Sequence, residues 1–131
     1  VRVADSVRQE IAYGGEILVV AEELTNASNP LFEYEYIVLD RKQNDVGAAI
    51  DQQVRGMRAA GWIAESTGEG KGYHLNSDRH QTIAFVEPLA PFLQEWATGS
   101  SIFPEQRAAL LIAKETTDPS RLILVTMHHM G

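Results

Sequence analysis

The sequence predicts an α+β domain of the split β-α-β kind, and three observations carry that reading. The run FEYEYIVL at 32–39 alternates two sets of side chains as a strand does. A stripe of apolar residues at helical spacing follows it over 45–60. The later elements then run strand, strand, helix, strand, which completes β-α-β-β-α-β. That is the ferredoxin-like order, an antiparallel sheet whose right-handed crossovers put the helices on one face, here with an N-terminal extension over 1–28. At 131 residues the chain suits one core and hence one domain, 1–131.

Within the extension, Asp5 and Ser6 offer a helix cap, and Val7, Ile11, Leu18 and Leu24 fall near helical spacing, so a helix is expected over 4–25. Gly14-Gly15 interrupts it, and Ile17 to Ala21 reads equally as a buried strand. Asn26 to Pro30 ends the element with turn residues. In the first strand, Phe32, Tyr34, Tyr36 and Val38 share one face, and Glu33, Glu35, Ile37 and Leu39 the other. Asn44 is placed to cap the next helix, whose stripe is Val46, Ile50, Val54 and Met57, and Gly61 follows as a C′ glycine.

Trp62 to Thr67 reads as a short strand with Trp62 as a core plug, and Gly68, Gly70 and Gly72 turn the chain back into Tyr73 to Leu75. A second turn at Asn76 to Arg79 leads into a strand at 81–87. Pro91 suits the first residue of a helix ending near Ala97, and Pro104 the first of a helix over 104–115 that packs through Ala108, Leu110, Leu111 and Ile112. Asp118-Pro119 turns into a last strand at 121–127.

Strands 32–39 and 121–127 are apolar at nearly every position, not only at alternate ones. With helices on one face alone, four such side chains left in water would forgo roughly 1.5–3 kcal/mol each, comparable in sum to the net stability of a small domain. Something must cover the second face. The expected cover is the N-terminal extension or a second copy of the chain, which makes a homodimer or another protein partner the expected association.

Composition excludes several classes. A formal net charge of −7 repels nucleic-acid backbones, and the eleven Lys and Arg are scattered, so no nucleic-acid partner is expected. No cysteine is present, which removes disulfides, thiolate zinc sites and cysteine nucleophiles. Apolar runs such as Ile17 to Ala21 are too short for a transmembrane segment. The first residue, Val1, suggests a processed or trimmed chain, and the expectation leaves the location open between cytoplasmic and secreted or membrane-anchored with the anchor absent from this chain.

Chemistry-bearing patterns are few. GEGKG at 68–72 lacks the helix and the Ser or Thr that a phosphate-binding loop needs after its Lys, and it reads as a hairpin turn. His74 and His80 flank one turn without the further ligands a metal requires. In MHHM at 127–130, adjacent strand residues point to opposite faces, so Met127 and His129 are separated from His128. Glu33 and Glu35 share a strand face and gain Glu65 as a candidate third carboxylate. Asn26-Ala27-Ser28 fits the glycosylation pattern, and no GxSxG is present. Tyr34, Tyr36, Tyr73, Trp62 and Trp96 are the large amphipathic side chains suited to a pocket or a partner.

The stretch 32–98, with YEYIVLD, MRAAGW at 57–62 and VEPLAPFLQEW, resembles small bacterial α+β proteins that are secreted or membrane-anchored and carry no assigned activity. The resemblance implies fold and location, not mechanism. The residues therefore point to a non-enzymatic binding or interaction domain presenting an open sheet face or a dimer surface, with no catalytic residue, metal or cofactor. The alternative is a small enzyme or ligand-sensing domain with a pocket between sheet and helices. In either case Tyr34, Tyr36, Glu33, Glu35 and His80 are the expected ligand-binding residues.

Overall fold

The computed structural model describes residues 3–24, 33–66 and 72–130. The elements in chain order are α1 (Asp5–Ile11), β1 (Glu16–Leu24), β2 (Glu33–Asp40), α2 (Val46–Ala59), β3 (Ile63–Ser66), β4 (Tyr73–Ser77), β5 (Thr82–Pro88), α3 (Leu89–Trp96), α4 (Pro104–Glu115) and β6 (Ile123–His129). The strands form one antiparallel sheet in the order β1-β2-β6-β5-β4-β3. Among the described residues, no helix is long and apolar enough to cross a membrane.

The α+β class stands, but the ferredoxin-like arrangement does not. That arrangement would set β2 between β6 and β5. Instead β6 lies between them, pairing Tyr36 with Thr126 on one side and Phe85 with Thr126 on the other. The reason is that β1 forms a hairpin with β2 and occupies its outer edge, leaving β6 the inner one. The early and late strands are thus direct neighbours, as β2 and β6.

The helices also pack on both faces, not on one. Strand alternation sends Ile37, Leu39, Ile123, Val125 and Met127 to a first core covered by α1 and α2. It sends Tyr36, Val38 and Leu124 to a second core covered by α3 and α4. The handedness rule that predicted a single helical layer governs crossovers between parallel strands. The α3-α4 connection joins β5 to an adjacent antiparallel strand, β6, so that rule does not constrain its side. Over β2 and β6 the second face is thus partly covered by α3 and α4, which bury Tyr36, Val38 and Leu124 without a second copy of the chain.

The extension is half helix and half strand. Val3, Val7 and Ile11 of the α1 region are buried in the first core, then Gly14 at φ +84° turns the chain into β1. Asp45, not Asn44, caps α2, its Oδ2 accepting from Ala48 N at 3.2 Å. Of the apolar stripe of α2, Ile50, Val54 and Met57 are buried and Val46 is half-buried, and Gly61 leaves the helix at φ +99°. Helix α3 starts at Leu89, two residues before Pro91, because the tight exit from β5 supplies Pro88 in extended geometry as its cap. Helix α4 buries Ala108, Ala109 and Ile112, whereas Leu111 is exposed, since small side chains let this helix lie close against β1. The last strand begins at Ile123, after a short 3₁₀ turn at Pro119–Arg121. β3 and β4 pair as a hairpin, but its tip at 67–71 lies outside the described residues, as do Asn26 to Ser28 and Phe32.

Candidate functional site

The five residues expected at a site are divided by the sheet. Because β2 alternates, Tyr34 and Tyr36 stand on the α3-α4 side, with ring centroids 6.4 Å apart, while Glu33 and Glu35 belong to the α1-α2 side. Glu35 is buried and ion-paired with Arg8 of α1, which also approaches Glu22 at 3.7 Å. The proposed partner Glu65 is on β3, at the far edge of the sheet from β2 and on its other face. No three-carboxylate cluster forms there.

His80 also lies on the first side, in the turn after β4. Its Nε2 meets Glu10 Oε2 at 3.0 Å, and the same carboxylate accepts from Trp62 Nε1 at 2.9 Å and Arg79 Nη2 at 2.6 Å. Burial alone would raise the Glu10 pKa, but these hydrogen bonds outweigh it and hold the carboxyl below its usual range. This cluster fastens α1 to the end of α2 and to the β4-β5 turn. Trp62 is the core plug its position implied.

Two hollows compete as binding sites. One, about 520 Å³, lies between α1 and α2 and is lined by Arg41 and Gln53. Its buried polar groups are already engaged: Arg41 Nη1 donates to Tyr13 O at 2.9 Å and to Gln53 Oε1 at 3.0 Å, and Gln53 Nε2 donates to Ile11 O at 2.6 Å. This is a clamp that holds the α1-β1 turn to α2, and burial lowers the pKa of the Arg41 guanidinium.

The other hollow, about 420 Å³, lies where α3 and α4 stop short of covering the second sheet face. Its aromatic walls come from Tyr34 and Tyr36 of β2, Phe85 of β5, and Phe92 and Trp96 of α3. Tyr34 stacks on His128 with centroids 4.9 Å apart and planes at 19°, and His74 meets Phe85 at 4.7 Å. Three carboxylates join them: Glu87 from β5, Glu95 from α3 and Glu105 from α4.

Two side chains here are held in unusual states. Tyr36 is 1% exposed, and its hydroxyl is buried with no hydrogen-bond partner among the described residues. Burial, then the charges of Glu105 and its neighbours, raise its pKa far above the phenolic range. Burial, reinforced by the charge of Glu95, pushes the Glu87 carboxyl up to about 7. At neutral pH Glu87 therefore serves as a donor or an acceptor at little cost in either direction.

Comparison with family models, with curated proteins and with solved structures finds no match to this chain.

The chemistry of the groove rests on its own side chains. Among the described residues, no three His or acidic side chains converge as a metal cage would require. Met127 lies fully buried in the first core, on the other side of the sheet from His128. What remains is an apolar, aromatic hollow with a few polar groups at its floor and rim, the usual composition of a small-molecule site. Tyr34 and Tyr36 were legible in advance, from strand alternation. Glu87 was missed, although Ile83, Phe85 and Glu87 follow the same alternation along β5. Glu95, Glu105 and Trp96 could not be placed without knowing that α3 and α4 return on this face.

Proposed function

We propose that this domain is a non-enzymatic binding module that receives a small molecule in the groove between α3, α4 and the second sheet face. Of the two architectures expected from the residues, a pocket between sheet and helices supports this reading better than an open sheet face or a dimer surface. The observation that carries it is the Tyr36 hydroxyl. A buried hydroxyl without a partner costs roughly 1–3 kcal/mol, and a site that must satisfy a ligand is a physical reason for a fold to tolerate that cost.

The test is Tyr36→Phe, which removes the hydroxyl and keeps the ring. The free protein is expected to be more stable by about 1–2 kcal/mol in urea denaturation, since an unsatisfied polar group is lost. Small molecules found to bind the native protein by ligand-observed NMR should bind this variant more weakly. A variant less stable than the native chain, or equal in binding, would contradict the reading.

A further inference from the structure

We infer that the groove is selective for an organic cation, an amine carried on a flat apolar body, whose ammonium sits among Glu87, Glu95 and Glu105 beside the Tyr36 hydroxyl. This inference rests on the groove being a small-molecule site, and it adds the chemical class of the ligand.

Charge is the first argument. Three carboxylates line the groove, and no Lys or Arg is among the described residues lining it. Arg107 of α4, which could have neutralised them, donates instead to Glu23 Oε1 at 2.6 Å and to the carbonyls of Ser101 and Ile102 at 3.1 Å. An anion brought here would meet carboxylates with no Lys or Arg among the described lining residues to offset them. A cation would relieve the repulsion that Glu87 and Glu95 exert on each other.

The walls give the second argument. Tyr34, Tyr36, Phe85, Phe92 and Trp96 line the groove, and aromatic rings attract cations electrostatically and bury a flat apolar body well. The third is the unpartnered Tyr36 hydroxyl. Its oxygen is an acceptor, and among the described residues nothing donates to it. An ammonium carries three donors, enough for two carboxylates and, once neighbouring side chains part to uncover it, for this buried oxygen as well.

A divalent metal ion fits less well. Among the described residues no group of three potential ligands is close enough to hold one, whereas an amine needs only loose carboxylate contacts and ring faces.

Protonation follows from the same arrangement. The titratable groups that line the groove with Glu87 are Glu95 of α3, Glu105 of α4, Tyr34 and Tyr36 of β2, His74 of β4 and His128 of β6, and of these Glu95 acts on it directly. In the empty groove Glu87 is about half protonated near pH 7. An arriving ammonium favours the ionised form, so binding releases protons and tightens as pH rises through that range.

The experiment uses the full chain and three probes of matched shape: tryptamine, its neutral alcohol tryptophol, and the anion indole-3-propionate. Trp96 lies in the groove, so ring-proton NMR of this residue reports occupancy. Tryptamine is expected to bind roughly tenfold or more tightly than tryptophol, with the anion weakest. Its affinity should rise roughly tenfold from pH 6 to 8, and calorimetry in buffers of different ionisation enthalpy should register proton release. Glu87→Gln with Glu95→Gln should abolish the preference, and Glu115→Gln, at the far end of α4, should leave it intact. Binding of tryptophol or the anion as tight as that of tryptamine overturns the inference and leaves the pocket standing. Displacement of tryptamine by millimolar calcium overturns it in favour of a metal. No shift at Trp96 with any probe overturns the pocket along with it.

Discussion

Glu87 occupies the last position of β5 that faces the groove, where a carboxylate loses much of its water and meets the charge of Glu95. That makes it a measurable liability. Its pKa of about 7 in the fold lies above the value of 4.5 expected in the unfolded chain, so the folded state holds the proton more tightly. Its stabilising effect is complete below pH 4.5 and is lost as pH rises through 7. The native chain should therefore lose about 2–3 kcal/mol relative to Glu87→Gln between pH 4.5 and 8, allowing for partial solvation of the site. Urea denaturation of both proteins across that range measures it, and a constant difference would show that the carboxyl titrates normally. Glu10 and Asp40 shift the other way, so their contributions fall at lower pH and cancel in the comparison. Residue by residue, the alternation of β2 disclosed where Tyr34 and Tyr36 would stand. It could not disclose that Glu35 would meet Arg8 or that His80 would meet Glu10, because both partners sit on α1, whose docking no local pattern encodes.

The elements differ in how firmly their own sequence dictates them, and two glycines make the difference testable. Gly56 lies in the exposed interior of α2, and a Cβ added there would meet nothing within 4 Å. Gly56→Ala should stabilise the domain by about 0.5–1 kcal/mol, because glycine gives up more backbone freedom on entering a helix. Gly15 opens β1 beneath the Arg41 clamp, where a Cβ would lie 2.9 Å from Arg41 Cδ and 3.2 Å from Asp40 O. Gly15→Ala should cost about 1–3 kcal/mol through displacement of a buried side chain. Urea midpoints read both, and a neutral Gly15→Ala would mean that the clamp does not constrain the turn. Helix α2 was legible because stripe and C′ glycine agree with one another, although its cap is Asp45, one residue after the expected Asn44. The extension was not, because its apolar residues satisfy a helical period up to Ile11 and a strand period from Ile17, and only the Gly14 turn separates the two. In α4 the expected Ala108 and Ile112 are buried, but hydrophobicity favours Leu111, which is exposed, whereas close approach to β1 favours Ala109.

At the scale of the molecule, the apolar character of β2 and β6 on both sides was plain in the sequence, but not what would cover each side. Strand order and the side taken by α3 and α4 depend on which edge of β2 is free, and that is settled by the β1 hairpin at a distance in the chain. The resulting two cores do not amount to two folding units. Ile37 and Val38 are neighbours in β2, both fully buried, one in each core, and Val125 and Leu124 repeat the pattern in β6. Stripping α3 and α4 away would expose Tyr36, Val38 and Leu124, at roughly 1.5–3 kcal/mol for each side chain brought into water. That sum approaches the entire stability expected of a domain this size. Loss of either layer should therefore unfold the whole sheet. The two tryptophans report the layers separately, since Trp62 is buried in the first core and Trp96 packs against the second. In Trp96→Phe the remaining fluorescence follows the α1-α2 side, and in Trp62→Phe it follows the α3-α4 side. Both variants will lose some stability, Trp62→Phe also through its hydrogen bond to Glu10. Within each variant, however, the urea midpoint by fluorescence should coincide with the midpoint by far-ultraviolet circular dichroism. A Trp96 signal that melts ahead of the circular dichroism would mean that α3 and α4 detach as a unit. The groove they help to form would then open without unfolding of the sheet, and its ligand would bind by closing it.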